Sequence, residues 1–358
     1  YDRVMQSQRP SGSAFKPIIY TAAIEKGYSP NDMIEDMPVK IGNWTPRNYG
    51  NKYRGKIPLY TALMISSNVC AARLMDEIGV RPVIQLARVM GITTPIPYDY
   101  TIALGSHSVK LYEMTRAFGV FANGGYKVEP YAIERVESSR GTILFEAKKA
   151  RTSKVLNINT AATMTAIMKT VITNGTGRAA NIGKPAAGKT GTTDDSKDAY
   201  FIGFTPDVVT GVWVGNDDNS KMGGITGGTI PALIWKDVML VATEPYGNAD
   251  FEYPEIVLNP FKASQVSVIS QEDAFKEKEE NDNETAEVSE PEIGITAPVP
   301  DTAAIKPDSI KPSDSMLQTA PVKKKETQTP MAEVQLERVE PPKVNFAPIP
   351  VTTTPTGQ

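Results

Sequence analysis

Ser13 and Lys16 stand three residues apart in the run Gly12-Ser13-Ala14-Phe15-Lys16-Pro17. That spacing puts a hydroxyl and an amine on one face of a helix. A serine hydroxyl is a weak nucleophile until a neighbouring base takes its proton. A lysine amine can be that base only when burial or a nearby cation lowers its pKa. Ile18, Ile19, Tyr20, Ala22, Ala23 and Ile24 continue the helix, and Gly27 stops it. Pro17 lacks an N–H and limits regular helix upstream. Ser13 is therefore expected at the helix mouth, where free N–H groups and the positive dipole end gather. Taken alone, the same residues also describe an N-cap serine followed by a surface lysine.

Two further stretches carry compatible chemistry. Ser66-Ser67-Asn68 falls in a break between two helical segments, where the Ser66 hydroxyl and Asn68 amide can face one cleft. The plainer reading is a helix N-cap at Asn68. The third stretch is Lys189-Thr190-Gly191-Thr192-Thr193. Strand alternation places Thr190 and Thr192 on one face and Lys189 on the other. Two hydroxyls facing one way can hold a carboxylate, and Gly191 lets a ligand backbone approach closely. Lys189 supplies positive charge and helps to lower the pKa of another lysine. A rival reading exists, because residues 183–190 also fit the phosphate-loop pattern GxxxxGK[ST]. That loop requires a strand before Gly183 and a helix from Lys189. Here loop text precedes it and Gly191, Thr192, Thr193, Asp194 and Asp195 follow, which are poor helix formers.

Composition narrows the chemistry further. The 358 residues include one histidine, His107, and one cysteine, Cys70. Internal disulfides and CxxC metal sites are excluded, and proton transfer falls to Lys, Asp, Glu or Tyr. Cys70 reads as a small buried apolar residue. His107 reads as a loop residue with no metal-ligand spacing beside it. No metal or cofactor is expected. The net charge of −3 gives no sign of a nucleic-acid partner. No apolar run is long enough to span a membrane. The chain opens at Tyr1 without a signal peptide, which reads as a piece of a longer protein.

Apolar periodicity predicts helices over 58–65, 69–78, 82–90, 111–121, 160–172 and 230–241. Strands are expected over 187–193, 199–204 and 208–214, with a hairpin over 131–137 and 142–147. Residues 31–57, rich in Asn, Pro and Tyr, read as an ordered loop. The folded domain is placed at 1–245 and a transition segment at 246–265. Residues 266–358 form a Glu-, Pro-, Thr- and Lys-rich tail whose composition predicts disorder. Lys323, Lys324 and Lys325 within it read as a solvated charge run.

Ser-x-x-Lys, Ser-x-Asn and Lys-Thr-Gly, in that order, are a specific combination. With them come Arg9-Pro10, Trp44, Pro46, Asn48 and Tyr49, then Ala103-Leu104-Gly105 and Phe121-Ala122-Asn123-Gly124-Gly125. Gly175-Thr176-Gly177, the 201–206 run, Thr226-Gly227-Gly228 and Ile234-Trp235 complete the set. Over residues 1–243 the chain resembles the transpeptidase domain of a class A, bifunctional penicillin-binding protein.

The resemblance implies an α/β (α+β) fold of the penicillin-recognising serine transpeptidase and β-lactamase type. It has a five-stranded antiparallel sheet flanked by helices. Three core strands are placed here, so the first strands, a glycosyltransferase domain and a membrane anchor are expected upstream. An open sheet edge, low stability and little or no activity of the isolated piece are expected with them. The implied reaction is D,D-transpeptidation of peptidoglycan stem peptides on the periplasmic side of the bacterial inner membrane. Ser13 is the implied nucleophile, Lys16 its base, and Ser66 with Lys189 the proton relay. Asn68 holds the donor amide, Thr190 and Thr192 the terminal carboxylate, and Gly191 and Thr193 complete the substrate-binding residues. The N–H groups of Ser13 and Thr192 are the implied oxyanion hole. Donor and acceptor stem peptides, β-lactams and other cell-wall synthesis proteins are the implied partners. A D,D-carboxypeptidase, a β-lactamase-like hydrolase and a non-catalytic penicillin-binding sensor stay open as alternatives. The hydrolase requires a water-activating carboxylate, and no Glu-x-x-Leu-Asn segment is found for it.

Overall fold

The structure, a computed structural model, describes residues 1–147, 152–261, 268–270 and 272–273. The tail expected at 266–358 lies almost wholly outside the described residues. Strand β1 (Gln8–Pro10) and a 3-10 turn (Gly12–Phe15) lead directly into helix α1 (Lys16–Glu25). Every residue of α1 from Lys16 to Ala23 is buried. A helix apolar on all sides belongs at the centre of a core, and α1 packs against the helices that follow. Strands β2 (Met33–Asp36) and β3 (Gly55–Pro58) pair antiparallel. Then come α2 (Leu59–Met64), α3 (Asn68–Ile78) and α4 (Val80–Met90), the last two broken by Gly79 with φ at 89°. Strand β4 (Ser108–Lys110) pairs with β1, and α5 (Leu111–Ala122) follows.

Strands β5 (Tyr126–Val128), β6 (Arg135–Glu137), β7 (Ile143–Glu146) and β8 (Thr152–Lys154) form two small ladders, β5 with β8 and β6 with β7. Helix α6 (Ile158–Thr173) then leads to the main sheet. It contains β9 (Ala187–Thr192), β10 (Asp198–Phe204) and β11 (Val209–Gly215), antiparallel in the order β11-β10-β9. Helix α7 (Ile230–Ala242) closes the domain.

Strand β10 explains the layering. All seven of its residues are buried, so its two faces meet two different cores. Tyr200, Ile202 and Phe204 join the large cluster around α1 and α5, where Phe204 stacks on Phe121. Phe201 faces the other way and meets Trp235 of α7, ring centroids 5.1 Å apart. The main sheet has three strands among the described residues, the three placed from sequence, with β9 and β11 at the edges.

The helices stand where periodicity placed them, within a few residues at each end. Residues 31–57 are a correction, because β2 and β3 lie at their two ends rather than an unbroken loop. Burial alternates along β2 in step with the pleat, but one inward residue is the carboxylate Asp36. A charged residue at an inward position hides the apolar alternation. The three-residue ladders β1–β4 and β5–β8 are too short for any period to show.

Beyond α7 the described residues carry little regular structure, yet they are pinned across the domain. The Tyr253 hydroxyl sits 2.6 Å from the Ala122 carbonyl and accepts the Gly124 N–H at 2.9 Å, closing the end of α5. Asn259 N–H donates to Asn31 Oδ1 at 2.9 Å, and Phe261 N–H to the Tyr60 hydroxyl at 2.9 Å. Ile269 exchanges backbone hydrogen bonds with Tyr53. Tyr253→Phe removes a hydroxyl from two partly buried backbone groups. It is expected to cost about 1–2 kcal/mol, a fall of a few degrees in melting temperature by calorimetry.

Candidate active site

The turn Gly12–Phe15 places Ser13 one turn ahead of Lys16, at the buried end of α1. Two neighbours hold this turn. Gly12 N–H donates to the Gly105 carbonyl at 3.0 Å. On the other side the turn lies against β9. A Cβ on Gly12 would stand 2.5 Å from the Thr192 oxygen, and one on Gly105 would stand 1.9 Å from the Gly12 oxygen. Both glycines also have positive φ, 54° and 69°. No side chain fits at either place. The residue before the nucleophile is thus wedged against the backbone of the Lys-Thr-Gly strand.

Ser66 occupies the break between α2 and α3 with φ at 63°. A left-handed serine costs on the order of 1–2 kcal/mol and is a mark of functional sites. The conformation lets both its oxygens meet lysines. The Ser66 carbonyl accepts from Lys16 Nζ at 2.7 Å, and Ser66 Oγ accepts from Lys189 Nζ at 2.9 Å. Lys16 Nζ lies 3.4 Å from the same Oγ. It also donates to Asn68 Oδ1 at 2.6 Å. None of the Lys16 contacts is to the Ser13 hydroxyl.

The N-cap of α3 is Ser67, not Asn68, because Ser67 Oγ accepts the Cys70 N–H at 3.1 Å. Released from capping, the Asn68 amide donates to the Arg47 carbonyl at 2.7 Å and presents its oxygen to Lys16.

On β9, Lys189 Nζ also donates to the Thr190 carbonyl and hydroxyl at 3.0 and 3.2 Å. The alternation therefore does not separate these two side chains. The strand is at the sheet edge, and a four-carbon stem carries the amine back around it. Thr190 Oγ1 is 2.7 Å from Thr176 Oγ1, and Thr192 Oγ1 accepts the Gly227 N–H at 3.0 Å. Gly191 is a correction: its open side is filled by the Ser11 carbonyl, 2.4 Å from where a Cβ would stand, and not left for a ligand. Thr193 is not brought to the cluster. Its hydroxyl accepts the Asp198 N–H at 2.9 Å and closes the β9–β10 turn. The phosphate-loop reading of 183–190 fails, because Lys189 lies inside a strand rather than opening a helix.

Lys16, Ser66, Asn68, Lys189 and Thr190 thus meet in one cluster, with Ser13 and Thr192 tied to it through the Gly12 turn. Asp36, Asn48 and Thr176 were missed as parts of it. Asp36 had no motif to mark it, while Asn48 and Thr176 stood in motifs without an assigned role. Tyr49 projects into solvent. Cys70 is buried on α3, and burial pushes its thiol well up. His107 is half-buried, 3.5 Å from Asp99.

Both lysine amines are fully buried, and neither pairs with a carboxylate among the described residues. Burial penalises the ammonium and lowers Lys16 to about 7. Lys189 is pushed well below its ordinary value by burial and then by the charge of Lys16. The cluster therefore holds amines able to accept protons at neutral pH.

A sequence profile described as "Penicillin binding protein transpeptidase domain" matches residues 1–240. The chain belongs to the penicillin-binding protein transpeptidase family. Penicillin-binding protein 1A of Aquifex aeolicus is 37% identical over 269 residues, covering 72% of this chain and 37% of the relative. Its counterpart from Pseudomonas aeruginosa is 34% identical over 294 residues, covering 66% and 36%. The chain thus spans little more than a third of the length of these curated relatives. The crystal structure of penicillin-binding protein 1A from Haemophilus influenzae superposes with a TM-score of 0.66 at 30% identity. That match covers 71% of this chain and 45% of the other. PonA1 of Mycobacterium tuberculosis, solved in complex with penicillin V, gives 0.65 at 26% identity, covering 72% and 74%. The chain has the family's fold, with the motif residues in the Gly12–Phe15 turn and at the start of α1, at the α2–α3 break and on β9.

NMR of lysines labelled at Cε is expected to show two amines titrating far below the rest. One has its midpoint at about 7 and is lost in Lys16→Met. A full set of ordinary lysine titrations would contradict the burial argument.

Proposed function

We propose that this chain is the acyl-transfer domain of a serine D,D-transpeptidase that cross-links peptidoglycan stem peptides. The observation that carries the reading is the meeting of Lys16 and Lys189 on Ser66. A neutral Lys16 amine has two N–H groups and one lone pair. Both N–H groups are taken, by the Ser66 carbonyl and Asn68 Oδ1. The lone pair is what remains for the Ser13 hydroxyl proton, one helical turn upstream.

In the proposed reaction Ser13 Oγ attacks the carbonyl of the penultimate D-alanine and gives its proton to Lys16. The N–H groups of Ser13 and Thr192 receive the developing oxyanion. The carbon–nitrogen bond then breaks as Ser66, backed by Lys189, gives its proton to the departing D-alanine amine and takes the proton held by Lys16, 3.4 Å from its Oγ. An amine of a second stem peptide then attacks the acyl-enzyme, gives a proton to the neutral Lys16, and that proton returns to Ser13 Oγ as the ester bond breaks. Asn68 holds the donor amide. Thr190 and Thr192 bind the terminal carboxylate. The Thr192 hydroxyl accepts from Gly227 and keeps its own proton to donate. The proton of the Thr176–Thr190 pair that is not shared between them serves the same anion. A β-lactam acylates Ser13 in place of the donor, in keeping with the penicillin V complex of PonA1.

The parent protein is read as a bifunctional enzyme with a glycosyltransferase domain, acting on the periplasmic side of the bacterial inner membrane. Among the described residues no helix is long and apolar enough to cross a membrane. Other cell-wall synthesis proteins are its proposed partners. Residues 1–245 are the proposed catalytic domain, 246–265 the transition segment and 266–358 a low-complexity tail.

Incubation of the full-length protein with a penicillin, followed by mass spectrometry, is expected to place one stable adduct on the peptide holding Ser13, absent in Ser13→Ala. An adduct that hydrolyses within seconds would indicate a hydrolase instead, and no adduct would refute the reading. Loss of the base in Lys16→Met is expected to slow acylation by about 10²–10⁴-fold. The acylation rate of the wild type should rise with pH and reach half its plateau at about 7, as Lys16 gives up its proton. A rate flat from pH 5 to 9 would exclude Lys16 as the base.

A further inference from the structure

Asp36 ends β2 with its side chain sealed from water. Its Oδ1 accepts from Asn48 Nδ2 and from Ser67 Oγ, each at 2.7 Å. Its Oδ2 takes no hydrogen bond, and the nearest cation, Arg54 Nη1, is 3.8 Å away. A buried carboxylate paired this loosely is costly, so what it holds in place is informative.

Asn48 passes the contact on. Its amide nitrogen is fixed by two acceptors, Asp36 and the Lys52 carbonyl at 2.9 Å. Its oxygen must then face the other way, towards the start of α3. There it accepts the backbone N–H of Asn68 at 2.8 Å and of Val69 at 3.2 Å. These are among the N–H groups that no helical carbonyl can reach. Asn68 is the first residue of that helix, and its side-chain oxygen receives Lys16. One buried carboxylate therefore orients an amide, the amide orients a helix end, and the helix end receives the amine beside the nucleophile. The loop is closed from behind as well. Tyr53 is fully buried and exchanges backbone hydrogen bonds with Ile269 at 3.2 and 3.0 Å.

We propose that Asp36 and Asn48 are positioning residues of the acyl-transfer site, setting the N-terminus of α3 and, through Asn68, the direction of the Lys16 lone pair. This rests on reading Ser13 and Lys16 as nucleophile and base. Neither Asp36 nor Asn48 contacts Lys16, so their removal alters the rate of acylation and not its site. The groups that bear on the Lys16 charge are Lys189 on β9, Cys70 on α3 and Asp36 on β2. The Cys70 thiol stays protonated, pushed up by burial. The Asp36 carboxylate favours the Lys16 ammonium, so its neutralisation moves proton loss from Lys16 to lower pH.

The test is the second-order rate of labelling by a fluorescent penicillin in the intact protein. Rates are normalised to the labelling end point, so molecules that fail to fold are not counted. Asn48→Ala is expected to slow labelling about tenfold or more, with the half-plateau pH unmoved. Asp36→Asn is expected to slow it comparably and to shift the half-plateau to lower pH, which a merely structural loss would not do. The exchange Asp36→Asn with Asn48→Asp in one chain restores a donor facing an acceptor. The backbone N–H groups again meet an oxygen, while a carboxylate oxygen now faces the Lys52 carbonyl that the Asn48 amide served, so the exchange should label faster than the slower single variant but short of wild type. Single variants that label at the wild-type rate would overturn the proposal, as would an exchange no faster than the slower single variant. If Asp36→Asn yields no labelled fraction, Asn48→Ala and the exchange decide. A wild type without label overturns the transpeptidase reading and this one with it. A labelled wild type with unaffected variants overturns this one alone.

Discussion

Two lysine amines are buried side by side, and the rest of the structure follows from that constraint. An ammonium loses its hydration on burial and repels its neighbour, so each amine gives up its proton more readily than an exposed lysine. The protein does not compensate with a carboxylate at either amine. It supplies neutral acceptors instead: the carbonyl and hydroxyl of Ser66, the amide oxygen of Asn68, and the carbonyl and hydroxyl of Thr190. Neutral acceptors satisfy the N–H groups without restoring full positive charge. The site is thereby basic at neutral pH although the chain contains a single histidine.

Holding that pair demands unusual backbone. Ser66 takes a left-handed conformation so that two oxygens of one residue face two amines. Gly12 and Gly105 touch backbone to backbone, and Gly12 lies against β9. These contacts bring the turn before Ser13 to the strand that carries Lys189, with no side chain between them. The helix α1 is rigid because it is buried on every side. Motion of the base relative to the strand would require repacking the core, so the geometry is set before any substrate arrives. Preorganisation of this kind is where electrostatic catalysis draws its advantage.

Local sequence was a good guide to elements whose own pattern carries them. Helices such as α3 and α5 show apolar residues at helical spacing and end at glycine or asparagine, so their extent was legible. Strands β9 to β11 were legible too, as short runs set between turn residues. The ladders β1–β4, β2–β3 and β5–β8 were not. Each is three or four residues long and exists because distant partners meet, which leaves no period to read. The capping of α3 was misassigned by one residue for a related reason. Ser67 and Asn68 are both good N-caps, and the choice between them was made by Arg47, Asn48 and Lys16, all far off in sequence.

The sequence by itself determined the reactive inventory: a hydroxyl one helical turn before a lysine, a serine and asparagine in a helix break, and a lysine on a strand of small residues. Those choices are local, because chain spacing alone decides which side chains share a face. Tertiary structure decided what the groups become. It buried the two amines and so lowered their proton affinity. It used the open side of Gly191 for the chain's own backbone, and it turned Thr193 away to close a turn. It also recruited Asp36 and Asn48 to the support of Asn68. Burial and contact between remote segments set those outcomes, since proton affinity and hydrogen-bond partnership belong to a residue's surroundings rather than to its place in the chain.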